Sequence, residues 1–294
     1  MAQESLKLPT MTSSPRRLRR PLVGIAKVVA YLVIVVFSLM VAYPLIAVLF
    51  DSFKTQVQFF DNPWSWPTSL DLSNYVYAWN VAHIPRFMVN SAIVSAGTIL
   101  LTLALSSPAA YAFSNFRFAA NRPLFAMFVL LLIVPAPVGI IPLYVIVTRL
   151  HLTDTYFALI LPYTAGNLPL SIFILRAFFD SIPRELTDAA RIDGCTHLRA
   201  FVRVILPVSR PGLGTVTILT FLGAWNEFFL ALIFIHNPDL MTLPLGLQSF
   251  FYQYFTQWPY VFASLCMANI PVIVMYVLLQ RQFISGLTAG ALKG

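Results

Sequence analysis

Charged side chains are scarce in this sequence. Asp, Glu, Lys and Arg make up 10% of its 294 residues, hydrophobic residues make up 59%, and the mean hydropathy is +0.78. Soluble globular chains carry about 25% charged residues. The composition therefore excludes an ordinary soluble domain.

Residues that build catalytic and metal sites are also few. The two cysteines cannot pair, because Cys195 lies in a polar segment and Cys266 in an apolar run. The four histidines are scattered without metal-ligand spacing, and no Ser/His/Asp, Cys/His or paired-carboxylate arrangement is present. The chain also lacks the Gly-x-x-x-x-Gly-Lys-Ser/Thr phosphate loop. We predict no catalytic residue, metal site or cofactor in this chain, and an enzyme embedded in the membrane lacks support.

Long apolar runs dominate what remains, and about 20 apolar residues suffice to cross a bilayer. Six runs qualify, which predicts an all-α integral membrane protein with six transmembrane helices. The runs are Val28–Phe50, Phe87–Phe116, Pro123–Thr148, Thr155–Leu175, Pro211–Ile235 and Trp258–Gln280.

The basic residues predict the orientation. With a cytoplasmic N-terminus, all 19 Lys and Arg residues lie inside except Lys54, Arg86 and Arg149, as the positive-inside rule requires. Both termini and the segment 179–210 are then cytoplasmic. The net charge of +8 suits anionic membrane lipids, and no basic, aromatic-interleaved soluble surface indicates nucleic acid.

The N-terminal run could be read as a signal peptide, because it follows the basic cluster Arg16–Arg20. However, Val28–Phe50 exceeds the usual apolar core of such a peptide, and no small-x-small cleavage site follows. We expect an uncleaved first span and a disordered segment over residues 1–15.

One polar, basic segment interrupts the apolar runs and predicts a helix over Arg184–Ile192. Pro183 suits a helix start, Ser181 is a candidate cap, and Glu185 favours the positive end of the helix dipole. Four residues at i, i+3, i+4 and i+7 spacing are expected to share one face. They are Leu186, Ala189, Ala190 and Asp193.

A second helix is expected directly after the first. Gly194 is the expected left-handed stop, Thr196 can cap the next helix, and Pro207 marks its end. The same spacing predicts one apolar anchoring face. Its members are Leu198, Phe201, Val202 and Ile205.

Asp188-Ala189-Ala190, three residues, Gly194, nine residues and Val204-Ile205-Leu206-Pro207 resemble the Glu-Ala-Ala loop of binding-protein-dependent ABC importer permeases. Three further stretches resemble the carbohydrate-uptake subfamily of these permeases, and in particular its maltose-type second permease. They are Met127–Tyr144, Ala224–Phe228 and Gly286–Gly294.

The resemblance implies a type I ABC importer permease fold in a bacterial plasma (inner) membrane. It implies a cytoplasmic tail at 1–26, a first span with its exterior loop at 27–86, a five-span core at 87–282 containing the coupling loop 179–210, and a cytoplasmic tail at 283–294. The implied cargo is a di- or oligosaccharide or a related polyol compound, moved by alternating access.

Partners follow from the same resemblance. They are ABC ATPase subunits that hold ATP and Mg²⁺, a second homologous permease, an extracytoplasmic sugar-binding protein and membrane lipids. The residues implied to couple to the ATPase are Glu185, Leu186, Asp188, Ala189, Ala190, Asp193, Gly194 and Pro207.

Glu227 is the one acidic residue inside a predicted span, where a charge costs about 2.5–3.5 kcal/mol on insertion scales. With Asn226 it could line the sugar path, or it could tie the fifth span to a neighbouring helix or to the second permease. Both interpretations stay open. A carrier driven by an ion gradient would usually show more intramembrane ionisable groups and inverted repeats.

Two further features also allow two interpretations each. Exterior aromatics such as Trp64 and Trp66 could stack on sugars or form an interfacial belt. The third span contains Pro135, Pro137 and Pro142, which could open a cavity or produce a simple kink.

Overall fold

The structure is a computed structural model that describes residues 20–248, 250 and 257–291. Within these ranges every regular element is helical. The longest helices are α1 (Arg20–Asp51), α4 (Ile84–Asn115), α7 (Phe157–Ser181) and α14 (Trp258–Ala291). The shorter ones are α2 (Gln56–Asp61), α3 (Ser73–Asn80), α5 (Asn121–Leu131), α6 (Ile140–Arg149), α8 (Arg184–Ile192), α9 (His197–Ala200), α10 (Leu206–Val208), α11 (Arg210–Asn226), α12 (Phe229–Phe234) and α13 (Leu243–Gln248).

Four of the described helices are long and apolar enough to cross a membrane. They are α1, α4, α7 and α14. The helix His197–Val208 and α11 meet at 76°, and this bent pair is a further candidate if it is counted as one span. The predicted third span is divided into α5 and α6, and the predicted fifth span, Pro211–Ile235, is divided into α11 and α12. The prediction of an all-helical membrane protein is confirmed, whereas its third and fifth spans are each divided.

Proline explains the division of the third run. α5 ends at Leu131 and α6 begins at Ile140, with a short 3₁₀ turn at Ala136–Gly139 between them. Pro135 and Pro137 have no backbone N–H to donate, so an α-helix cannot continue through them without losing hydrogen bonds. The proline-rich stretch therefore separates two short apolar helices.

The core lies where α4, α7 and α11 pack together. At one end, a cluster joins Tyr111 and Phe113 of α4 to Ile172 and Leu175 of α7. α1 lies at the edge, against α14, and its apolar side chains are exposed. Such exposure suits contact with lipid or with helices of another subunit.

The segment after α1 is held by a buried lysine. Lys54 is 1% exposed; its Nζ lies 2.7 Å from Asp51 Oδ1 and donates to the carbonyl of Pro63 at 2.8 Å. Asn74 Nδ2 donates to the carbonyls of Ser52 and Lys54 at 2.8 and 3.0 Å. A buried charge needs such partners, so this segment has a fixed shape against the end of α1.

Two tryptophans of this segment lie on α1. Trp64 stacks on Tyr43 with ring centroids 5.9 Å apart, and Trp66 lies 4.7 Å from Phe50. Both indoles remain largely exposed, and this position fits an interfacial aromatic belt.

The predicted ends fall partly outside the described residues. The disordered segment expected at 1–15 and residues 292–294 lie there. α14 continues to Ala291, past the boundary at 282.

Candidate coupling loop and central cavity

α8 begins where the sequence predicts but without a side-chain cap. Pro183 occupies the cap position with ψ of 132°. The prediction that Ser181 is the cap is wrong, because Ser181 still belongs to α7 and its Oγ donates to the carbonyl of Phe178 at 2.6 Å. Glu185 in the first turn and Arg191 in the last turn complement the helix dipole.

Gly194 ends α8 in the left-handed conformation, with φ of +83°. Its N–H donates to Arg191 O at 3.0 Å, and the N–H of Cys195 donates to Ala190 O at 2.9 Å. These two bonds form a Schellman motif, in which the left-handed residue is usually glycine because a side chain would be strained. The predicted stop at Gly194 is confirmed.

The second helix begins at His197 and ends at Val208, with a π turn over Phe201–Ile205 in its middle. Thr196 Oγ1 accepts from the N–H of Arg199 at 3.4 Å, so the predicted cap is confirmed. The helix ends one residue after Pro207, close to the predicted end.

The predicted apolar face of this helix is only half correct. Phe201 and Ile205 are buried, whereas Leu198 and Val202 are 71% and 51% exposed. The segment lies across the end of the core, so it buries one narrow strip. The π turn also changes the rotation per residue, so helical spacing no longer predicts the buried side.

The residues that the resemblance implies for coupling all lie on α8, on the turn at Gly194 or on the second helix, which together form one helix–turn–helix module. Ala190 is buried at 7% exposure. The others are exposed: Glu185, Leu186, Asp188, Ala189, Asp193, Gly194 and Pro207. Sequence reasoning missed Ile192 as an exposed apolar residue. It is 86% exposed and lies two positions before Gly194.

Aromatic contacts fix the second helix to the membrane core. The Phe201 ring lies 4.8 Å from Tyr111 of α4 and 6.4 Å from Phe179 of α7. His197 lies 5.1 Å from Phe116, next to the end of α4. The loop is therefore attached to two long helices, while its apolar tips remain uncovered.

Glu227 lies at the break between α11 and α12. It has extended backbone, with ψ of 126°, and its carboxylate accepts from the N–H groups of Leu230 at 2.8 Å and Ala231 at 3.3 Å. It also accepts from the hydroxyl of Tyr163 in α7. The side chain thus caps α12 and ties it to α7, as the structural interpretation expects.

A cavity of about 770 Å³ opens beside Glu227. It is lined mainly by apolar residues and by three glycines. Gly139, Gly166 and Gly223 come from three different elements, and a Cβ at Gly139 or Gly166 would meet nothing within 4 Å. The remaining lining residues are Ile140, Leu143, Pro162, Tyr163, Ala165, Asn167, Glu227, Phe229 and Leu230.

The two predicted path residues do not share this cavity. Asn226 is exposed elsewhere, and its Nδ2 donates to Leu222 O at 2.9 Å. Asn167 lines the cavity instead. Its Nδ2 donates to Tyr163 O at 2.8 Å. Its Oδ1 lies 3.9 Å from the point that a Cβ would occupy if Gly223 were replaced by a larger residue. Tyr163 and Asn167 were not predicted from the sequence as cavity residues. Both are polar residues between Pro162 and Pro169 inside an apolar run, and this pattern could have indicated them.

The ends of α7 and α12 opposite the loop are joined by Asp154. Its Oδ1 accepts from the N–H groups of His236 and Asn237 at 2.5 and 2.8 Å. The hydrogen bond from Asn237 is the main cause that lowers the pKa of the Asp154 carboxyl. This contact holds the loop before α7 against the end of α12. Within the described residues, no three His, Cys, Asp or Glu side chains come together as a metal site.

The long apolar helices define a multi-pass integral membrane protein with an exposed polar loop. Residues 102–286 match the family described as "Binding-protein-dependent transport system inner membrane component". This chain belongs to that family and is a permease component, not the ATPase subunit.

Relatives match over most of the chain. The probable ABC transporter permease protein YurM of Bacillus subtilis (strain 168) is 39% identical over 258 residues, 88% of this chain and 86% of that protein. The sulfoquinovosyl glycerol transport system permease protein SmoH of Agrobacterium fabrum is 38% identical over 86% of this chain and 89% of its own length. The arabinooligosaccharides transport system permease protein AraQ of Bacillus subtilis is 31% identical over 93% of this chain and 98% of its own length.

A solved structure shares the fold. The crystal structure of a bacterial ABC transporter involved in the import of the acidic polysaccharide alginate aligns with a TM-score of 0.80 and 23% identity. The alignment covers 92% of this chain and all of that chain.

Replacing Glu227 with Gln should lower thermal stability. The amide can keep only one acceptor oxygen, so at least one of the donors from Leu230, Ala231 or Tyr163 loses its partner, at a cost of about 1–3 kcal/mol. Tyr163→Phe removes one hydroxyl bond only and should cost less. Thermal unfolding of the purified permease measures both variants. Equal stability of Glu227→Gln and the unaltered chain would contradict the capping role.

Proposed function

We propose that this chain is one of two permeases of an ATP-driven importer that moves a sugar across the bacterial plasma membrane. ABC ATPase subunits, a second permease and an extracytoplasmic sugar-binding protein complete the assembly. Relatives are named for arabinooligosaccharides, diacetylchitobiose and sulfoquinovosyl glycerol, which supports a saccharide as the substrate class.

In this proposal the chain crosses the membrane six times. Four are the long helices α1, α4, α7 and α14. The third and fifth are broken spans, α5 with α6 and α11 with α12. Breaks of this kind are tolerated where freed backbone groups are buried in protein or line a cavity, and the carboxylate of Glu227 supplies such partners at the second break. Both termini and the loop 179–210 then lie in the cytoplasm.

The exposed tip of the loop is the proposed contact with the ATPase. Ile192 and Leu198 are the apolar residues on either side of Gly194, and both are uncovered in this chain. Exposed apolar groups on an otherwise polar helix pair suit a partner surface. Glu185, Asp188 and Asp193 supply a charged rim, while buried Ala190 and the turn at Gly194 shape the module.

The anchoring of Phe201 and Ile205 in the core carries this proposal. A loop with only exposed contacts could bend without effect, whereas Phe201 is packed against α4 and α7. Movement of the ATPase would then displace the long helices as a body. ATP binding biases this two-state change, which exposes the permease pair alternately to the two sides.

The cavity beside Glu227 is the proposed segment of the sugar path. Its polar groups include Asn167 and Tyr163, and the described residues that line it include no Lys, Arg or His, which favours an uncharged sugar. Glu227 already accepts from three donors. We therefore assign it to holding the path in shape and give Asn167 the direct polar contact. Asn226, which is exposed and does not line this cavity, remains a candidate for contact with the sugar outside it.

Replacing Ile192 with Asp should abolish coupling without unfolding the permease. The side chain is 86% exposed, so the chain loses little internal packing. Loss of an apolar hot spot typically costs 2 kcal/mol or more, about 30-fold in affinity. Co-purification of a phosphate-loop ATPase measures the effect. Leu70→Asp, at a residue 77% exposed in the segment between α2 and α3, is the matched control. Normal ATPase retention by Ile192→Asp would overturn the proposed contact.

Enlarging Gly166 should block uptake progressively from Ala to Val to Leu. Its Cβ enters open cavity space, and Ala in place of Gly inside a helix should stabilise by about 0.5–1 kcal/mol. Uptake of the radiolabelled sugar should therefore fall while thermal stability holds or rises for Ala. Gly212→Ala is the contrast, because its Cβ would lie 2.6 Å from Phe178 Cγ and should reduce stability. Unchanged uptake by Gly166→Leu would remove this cavity from the path.

Cys195 tests the orientation. In a Cys266→Ala background, a membrane-impermeant thiol reagent should leave intact cells unlabelled and should label inverted membrane vesicles, because Cys195 is part of the cytoplasmic loop. Labelling on intact cells would place the loop outside and contradict the topology.

A further inference from the structure

A second cavity lies between α5 and α7, away from the proposed sugar path. It is a groove of about 390 Å³. Phe125 and Phe173 line it, with nearly parallel rings 6.4 Å apart, and two arginines, Arg122 and Arg176, line it as well. The groove therefore combines an aromatic floor with a cationic rim.

Both arginines lie toward the same membrane surface. α5 and α7 are neighbours whose proposed chain directions are opposite, and Arg122 precedes Phe125 in one helix while Arg176 follows Phe173 in the other. The backbone position of each arginine thus lies beyond that of the aromatic residue of its own helix in the same direction. In the proposed topology, that surface is the cytoplasmic one.

Within the part of the chain that the structure describes, the positive charge of the groove is not fully balanced. The Arg176 guanidinium carbon lies 3.8 Å from the centroid of the Phe125 ring, and its Nε lies 3.5 Å from Asp180 Oδ2. Asp180 Oδ1 accepts from Ser114 Oγ at 2.6 Å. Among the described residues, Arg122 has no hydrogen bond or ion pair. The rim carries two arginines and one carboxylate.

Apolar side chains continue from the groove toward the membrane interior. Leu130 follows Ala126 along α5 and Leu170 precedes Phe173 along α7; both are exposed, at 61% and 39%. At about 1.5 Å per residue, Leu130 lies roughly 12 Å from Arg122 along the helix axis. A ligand with an anionic head and a long apolar tail matches this sequence of surfaces.

We propose that this groove binds one anionic phospholipid of the cytoplasmic leaflet. The phosphate would lie between Arg122 and Arg176, and one acyl chain would lie over Phe173 and Leu130. Basic pockets between transmembrane helices on the cytoplasmic side are suited to acidic headgroups. The leaflet follows from the proposed topology, whereas the binding itself does not depend on it.

The test counts lipids held by the purified transport complex. The complex is incubated with mixed micelles of phosphatidylcholine and phosphatidylglycerol, and the bound lipids are resolved by native mass spectrometry. Arg122→Gln should lower retention of phosphatidylglycerol about fivefold, the factor for one arginine near an anionic surface. Arg149→Gln, which changes an exposed arginine at the far end of α6, should retain it. Neutral lipid retention should not change.

Two further measurements distinguish lipid binding in this groove from a general effect of charge and from binding of phosphate alone. Ala126→Trp fills the groove without changing its charge and should also reduce phosphatidylglycerol retention. Excess inorganic phosphate should not displace the lipid, because the acyl chain contributes to binding. Equal retention by Arg122→Gln and the unaltered complex would overturn the proposal, as would full displacement by phosphate. Sugar uptake is not the readout, so failure here is distinguishable from failure of the proposed transport function.

Discussion

The requirement that backbone polar groups be satisfied without water governs this fold. In hydrocarbon each unpaired N–H or C=O costs several kcal/mol, so a spanning helix can stop midway only where protein groups or a cavity replace its hydrogen bonds. Glu227 meets this requirement. Its carboxylate accepts two N–H groups of α12 and the Tyr163 hydroxyl. A residue that is costly as a lone charge thereby makes an interruption of the chain possible.

The interrupted helices meet at the cavity. Gly139 ends the turn between α5 and α6, Glu227 follows α11, and both line the same space. A continuous helix would present a wall of side chains there, whereas helix ends and glycines leave room. The open volume and the broken backbone are thus two results of one arrangement, and the partners of Glu227 hold it together.

The sequence was sufficient where one local rule decided the structure. Gly194 alone meets the demand for a left-handed stop, and Thr196 is a suitable cap, so both were predictable. It was insufficient where packing decided. Leu198 and Phe201 are equally apolar in the pattern, but only Phe201 contacts Tyr111 and Phe179. Likewise, the apolar run Pro211–Ile235 contains no sign of a break except Glu227 itself, whose partner Tyr163 is 64 residues away in sequence.

α11 connects the proposed coupling loop to the cavity. It begins at Arg210, at 76° to the helix that carries Phe201, and it ends at Asn226, next to the break. Its 17 residues span about 25 Å at 1.5 Å per residue. A helix of this length transmits displacement with little bending because its hydrogen bonds are continuous. A shift of the proposed coupling loop would therefore reach Glu227 directly, where the side-chain hydrogen bonds of Glu227 join α12 to α7 beside the buried apolar contacts of Ala231 and Phe234 with α7. The break at Glu227 thus lies at the end of an uninterrupted helix and beside the cavity, which is where a displacement of α11 would change the shape of the cavity.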